Sequence, residues 1–206
     1  MARNEERAAR AHEAPIVGSL PPDAPGIIAA MRLAPGVQTH LRGLADALLV
    51  DEFPGATLTR GERELIATAV SAANNCFYCM DSHGAFASEL LSRAGTAEIA
   101  NLVDNVKCGT DVGLPPKLRA LTTIARIVQL DARNLTRVDI QVALDAGATD
   151  GDTQLAVLIA SAFCMYNRMV DGLRAPTPPT ETAFEARAVQ IADHGYSAPQ
   201  ITAIPK

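Results

Sequence analysis

Apolar residues along this chain of 206 residues recur at three- and four-residue intervals and rarely alternate with polar ones, which is the spacing of amphipathic helices. The fold class this predicts is all-α, a multi-helical bundle. After a Pro-rich entry, APIVGSLPPDAPG, the segment GIIAAMRL reads as a short helix. GVQTHLRGLADALLVD reads as a longer one, with Val37, Leu41, Leu44, Leu48 and Leu49 on one stripe. Pro54 and Gly55 then break the chain. The next helix, from about Arg60 to Asn74, opens on a capping box of Thr59 with Glu62 and carries Leu65, Ile66, Ala69 and Val70 on one side. Another, from about Asn75 to Arg93, stops at Gly95.

Further helices are expected in TAEIANLVDNV, in PPKLRALTTIARIVQLDA and in TRVDIQVALDAG, whose Thr136 and Asp139 form a second capping box. DTQLAVLIASAFCMYNRMVDGL is the most apolar stretch. Asp, Gln, Asn and Arg are spread along it, so it reads as a buried helix and not as a membrane span. RAPTPPTE is a linker, and TAFEARAVQIADHG a last amphipathic helix that packs on a neighbour.

Eighteen basic against 23 acidic residues leave a net charge of −5 without charge blocks. That signals neither a nucleic-acid-binding face nor a polybasic membrane anchor, so small-molecule or protein partners are expected. The beginning, MARNEERAARAHEAP, has no apolar core of a leader, and the expectation is a soluble cytoplasmic protein. Four cysteines in a chain of this length do not make a disulfide framework, and in a reducing compartment such thiols react or bind metal.

Two of the four lie in NNCFYCMDSH. On a helix Cys76, Cys79 and His83 fall at about 0°, 300° and 340°, within roughly a 60° arc of one face. Asn tolerates left-handed backbone and also caps helices, so Asn74-Asn75 is a natural break. With Asn75 as cap, both thiols sit in a first helical turn, where unpaired N–H groups and the helix dipole favour a thiolate.

In one unbroken helix Glu64 would lie about 18 Å from Cys76, out of reach. A turn at the two asparagines instead folds residue 64 back to about the level of residue 85, within a turn of His83. The order becomes Glu64, His83, Cys79, an acid holding a base that faces a thiol. Two other readings stay open: two small core thiols, or a zinc site of Cys76, Cys79 and His83 with Glu64 or Cys108 as fourth ligand. No second C-x-x-C or H-x3-H is present to close a structural tetrahedron. Cys108 and Cys164 read as structural, and His12, His40 and His194 receive no role. Asn167 and Arg168, polar within an apolar helix, suggest hydrogen bonds between helices or subunits, or a part in lining the thiol pocket.

Glu64, eleven residues, Cys76-x-x-Cys79 and three residues to His83 resemble the E-x11-C-x-x-C-x3-H pattern of the alkylhydroperoxidase D-like (AhpD-like) branch of the carboxymuconolactone decarboxylase superfamily. LTRGERELIATAVSAANNCFYCMDSHG looks like that family's core helix pair, and NRMVDGL resembles a later segment of its peroxidase-related members. The likeness spans roughly residues 35 to 175. It divides the chain into an N-terminal extension (1–34), an AhpD-like helical domain (35–175) and a C-terminal linker and helix (176–206).

The resemblance implies a thiol-dependent peroxidase or disulfide oxidoreductase with Cys79 attacking the peroxide, Cys76 resolving the sulfenic acid, and His83 and Glu64 relaying the proton. It further implies no bound cofactor, an external dithiol or a lipoyl or thioredoxin-like protein as reductant, and a homotrimer or homohexamer. Tyr78 stands where the best-defined peroxidases carry a second histidine. It can donate a hydrogen bond as an accessory residue, but is a poor base at neutral pH. The alternatives are a redox-sensing or metal-binding adaptor and a non-redox enzyme of the lactone decarboxylase type. The latter would use His83 as base and survive loss of Cys76.

Overall fold

In a computed structural model that describes residues 14–18, 20, 21, 24–178 and 181–198, the chain is all-α, with no strand among the described residues. The helices are α1 (Gly26–Arg32), α2 (Pro35–Leu49), α3 (Arg60–Ala73), α4 (Phe77–Arg93), α5 (Ile99–Lys107), α6 (Pro116–Asp131), α7 (Arg137–Asp145), α8 (Asp150–Gly172) and α9 (Glu185–His194). Short 3-10 turns cover Ala132–Asn134 and Glu181–Phe184. No helix among the described residues is long and apolar enough to cross a membrane.

The centre of the bundle is α3, whose residues from Arg63 to Ala72 are all buried. Its Leu65, Ile66 and Val70 meet Phe86 and Leu91 of α4, Leu121 and Ile124 of α6, and Leu155, Ile159 and Phe163 of α8 in one core. Each such side chain contributes about 1.5–3 kcal/mol by leaving water, so this layer of the fold is the hardest to open. The predicted capping box of Thr59 and Glu62 is formed at the start of α3.

Three expectations shift. In α2 the buried stripe is Leu41, Ala45, Leu48 and Leu49, while Val37 and Leu44 are 51% and 38% exposed, because α2 is a peripheral helix with little of its surface covered. α5 begins at Ile99 and not at Thr96, since Glu98 takes a left-handed φ of 54° that helix cannot continue through. α8 begins two residues early, because Thr149 and Asp152 make a capping box that the apolar pattern did not disclose.

Asp152 also ties α8 to the entrance of α3. Its fully buried carboxylate accepts hydrogen bonds from the N–H groups of Thr57 (2.7 Å) and Leu58 (2.9 Å) and from the Thr57 hydroxyl (2.8 Å). Burial alone would raise its pKa, but these donors and the Thr149 N–H outweigh it and hold the group at about 2.

The last helix packs on α4 of its own chain. Arg60, at the start of α3, donates to the carbonyls of Ile191 (2.7 Å) and Ala192 (2.9 Å) at its C-terminal end. Gly195 then turns with φ 72°, and Asp46 of α2 accepts from the N–H groups of Tyr196 (2.6 Å) and Ser197 (2.8 Å). Distant elements thereby set Tyr196 over the α3–α4 pair.

Candidate active site

The pair of asparagines does break the helix, but one residue later than the cap reading supposed. Asn75 is the left-handed residue, with φ 56°. Its N–H donates to the Ala72 carbonyl at 3.1 Å and that of Cys76 to Ser71 at 3.0 Å, which is the Schellman termination of α3. Cys76 itself is the N-cap of α4 and Cys79 falls in its first turn. The turn is braced from outside. Asn74 donates to Asn167 of α8 (2.9 Å) and accepts from Gln129 of α6 (2.9 Å), while Asn167 donates to Ser71 (3.1 Å). Asn167 therefore bonds between helices and does not line the cavity described below, and Arg168 donates to the Cys164 carbonyl at an exposed position.

With α3 and α4 folded antiparallel, Glu64 and His83 meet. Glu64 Oε2 lies 2.7 Å from His83 Nδ1, with the glutamate side chain 1% and the histidine 12% exposed. The other carboxylate oxygen accepts from the Tyr196 hydroxyl at 2.6 Å. A carboxylate facing Nδ1 makes that nitrogen the N–H donor and leaves Nε2 with the lone pair, the tautomer a proton acceptor needs. Phe163 and Phe86 meet the imidazole edge-on, with ring centroids 4.5 and 5.2 Å away, and hold it in place. Burial beside the Glu64 carboxylate pushes the Tyr196 phenol well above its usual pKa, so it remains a donor.

The cysteines are both free thiols and both buried. They are not equivalent. Cys76 bonds to the Cys79 side chain, and this contact together with burial pushes its thiol well above the usual range, so it keeps its proton. Cys79 lines a cavity of about 40 Å³, room for roughly three waters, together with Ser82, His83, Phe163, Tyr196 and Tyr78, while Cys76 is not among the lining residues.

Tyr78 is also in this wall. Its ring packs against Gly26 and edge-on to Phe184 at 5.4 Å, and burial pushes its phenol up to about 12. Its buried hydroxyl has no hydrogen-bond partner among the described residues. Gly26 has φ 47°, and a Cβ there would stand 2.3 Å from the Tyr78 ring, so only glycine lets α1 close over the cavity.

The chemistry-bearing residue that local sequence patterns missed is Tyr196. It stands 132 residues from Glu64, and the one signal for it was its being one of three tyrosines in a chain with 4% aromatics. Cys108, read as structural, is exposed and packs into no core, because it caps the end of α5; Cys164 is half-buried. His40 and His194 are exposed, and His12 lies outside the described residues. Among the described residues no three or more His, Cys, Asp or Glu side chains are grouped to hold a metal ion.

Taken together, an all-α bundle whose central helical hairpin sets a thiol pair against a histidine–carboxylate pair defines the class. The sequence matches the carboxymuconolactone decarboxylase family over residues 35–95. The fold is similar to the alkylhydroperoxidase AhpD core of an uncharacterized peroxidase-related protein from Ralstonia eutropha JMP134, at 27% identity and a TM-score of 0.67, covering 78% of this chain and 79% of that one. It is also similar to a peroxidase-related protein from Silicibacter sp. TM1040, at 22% identity and a TM-score of 0.62, covering 73% and 75%, a likeness of fold alone. No curated protein matches the chain. The chain thus carries a segment similar to the carboxymuconolactone decarboxylase family within an AhpD-like all-α fold.

Proposed function

We propose that the protein is a thiol-dependent peroxidase and disulfide oxidoreductase. The observation that carries this reading is the placement of Cys79 and His83 in one small cavity, with the His83 ring held on Glu64 and a second thiol beside Cys79. His83 Nε2 takes the Cys79 proton, and the thiolate attacks the terminal oxygen of R–O–OH. An S–O bond forms, the O–O bond breaks, and the alkoxide recovers the proton from the imidazolium and leaves as ROH.

The resulting sulfenic acid then condenses with the protonated Cys76 thiol, giving the Cys76–Cys79 disulfide and one water. Residues three apart in a helical turn have Cα atoms within disulfide range. An external dithiol, small or on a lipoyl or thioredoxin-like protein, is oxidised to its own disulfide and returns both thiols. The scheme uses no bound cofactor. By likeness to the family, the unit in solution is a homotrimer or homohexamer.

The test is turnover of hydrogen peroxide and an organic hydroperoxide with dithiothreitol or dihydrolipoamide, on wild type, Cys79→Ser and Cys76→Ser. Activity should vanish in the first variant, while in the second the sulfenic acid should accumulate. Equal rates in wild type and Cys79→Ser would overturn the proposal. The family match, together with a cavity that excludes Cys76, favours a second reading: His83 as general base on a lactone or keto acid. That activity would persist in Cys76→Ser.

A further inference from the structure

The hydroxyl groups that line the cavity are, with one exception, engaged inside the protein. Tyr196 donates to Glu64, Tyr166 donates to the Leu41 carbonyl at 2.8 Å, and Ser82 donates to the Cys79 carbonyl at 3.2 Å. α2 and α9 add the guanidinium groups of Arg42 and Arg187 to the same wall. The exception is Tyr78. The residue is 2% exposed, and its hydroxyl has no hydrogen-bond partner among the described residues.

A buried donor left unbonded is costly, because it has given up water and gained no acceptor in exchange. Such a group calls for an explanation, and a place in the wall of a reactive cavity supplies one. The charges that act on the Tyr78 phenol are those of Arg187, Cys79 and Cys76, so its hydroxyl end lies on the thiol side of the wall. The ring is held there between Gly26 and Phe184. Burial keeps the phenol protonated at neutral pH, so it can donate but does not act as a base.

Reduction of a peroxide at Cys79 creates a need for such a donor. As the thiolate forms its S–O bond to the terminal oxygen of R–O–OH, the O–O bond breaks and both of its electrons pass to the RO oxygen. Negative charge grows on that atom until the His83 imidazolium delivers its proton. A preorganised donor in a cavity shielded from water is an effective stabiliser of developing charge of this kind.

We infer that the Tyr78 hydroxyl donates a hydrogen bond to the RO oxygen as the O–O bond breaks, which makes Tyr78 a catalytic residue of the reaction. It retains its own proton, and His83 supplies the one that leaves with ROH. The peroxide thereby brings the acceptor that the protein does not. The inference rests on the peroxidase reading above and adds to it the group that meets the leaving oxygen.

A donor at this atom matters more the more basic the leaving oxygen is. Ethyl hydroperoxide expels an alkoxide. Peracetic acid, of nearly the same size, expels acetate, whose charge is shared by two oxygens. The test measures second-order rate constants for oxidation of the pre-reduced protein by each peroxide, with reductant removed, in wild type and Tyr78→Phe. The readout is the Cys76–Cys79 disulfide in quenched samples, followed by mass spectrometry.

The variant should lose about a hundredfold with ethyl hydroperoxide, as when one donor to a developing oxyanion is removed, and about fivefold or less with peracetic acid. In urea it should be at least as stable as wild type, since it removes an unbonded buried hydroxyl. Unchanged rates, or equal losses with both peroxides, would overturn the inference and leave the peroxidase standing. A less stable variant would show the hydroxyl already bonded within the protein and would overturn it as well. Wild type that neither peroxide oxidises at Cys79 would instead remove the peroxidase reading, and the inference with it.

Discussion

The hydroxyl of Tyr196 donates to Glu64 Oε1 at 2.6 Å, on the carboxylate whose other oxygen holds His83, so the C-terminal segment completes a site built by the central hairpin. Tyr196→Phe removes that donor from a carboxylate that is 1% exposed. The expected loss is about 1–2 kcal/mol in denaturant unfolding and about tenfold in kcat/KM, with a changed pH–rate profile. A stability loss with an unaltered profile would reduce Tyr196 to a packing residue.

Asn75 occupies left-handed backbone at the junction of α3 and α4. Asn75→Ala should cost about 1 kcal/mol, since a non-glycine, non-Asx residue is strained there, while Asn75→Gly should be neutral within about 0.5 kcal/mol. Chemical denaturation of the two variants checks the pair, and equal stabilities would contradict the strain account.

Asp152 titrates at about 2 in the folded protein against an ordinary value of 3.8. A depressed carboxylate stabilises the fold above its unfolded pKa, and that contribution, on the order of 1–2 kcal/mol, fades as pH falls from about 4 toward 2. Asp152→Asn should therefore unfold more readily than wild type at pH 7, with the gap narrowing at acid pH. Parallel stability curves over that range would contradict it.

All three tyrosines have raised pKa values, mainly through burial: Tyr78 to about 12, with Tyr166 and Tyr196 also above the usual 10. A phenol raised in the folded state stabilises the fold below its unfolded pKa, and this is lost as pH climbs past 10. Tyrosinate absorbance should stay absent at pH 10.5 in the folded protein and rise together with loss of helical circular dichroism. An early, separate rise would show a phenol open to water.

Helical periodicity, the Thr59–Glu62 and Thr136–Asp139 boxes and the E-x11-C-x-x-C-x3-H spacing make the bundle and the hairpin legible in the amino-acid sequence, because these interactions span only a few residues or one tight turn. What sits next to Glu64 and His83 from elsewhere in the chain is not legible there. Tyr196, Arg42 and Arg187 come from helices or segments whose local patterns speak only of amphipathic surface, and Asp152 looks like any acid in a first turn. Even the cap of α4 moves from Asn75 to Cys76, since the Schellman hydrogen bonds to Ala72 and Ser71 depend on how α3 ends.

By itself the sequence determined the helices, the bend at Asn74-Asn75 and the approach of Glu64 to His83, all consequences of short-range geometry. Only the tertiary structure decided that Cys79 and not Cys76 lines the cavity, that Tyr196 closes the far side of the carboxylate, and that Arg42 and Arg187 join the lining. Those arrangements depend on how α2, α8 and α9 pack on the hairpin, and packing joins residues far apart in the chain through shape and burial, which no local spacing encodes.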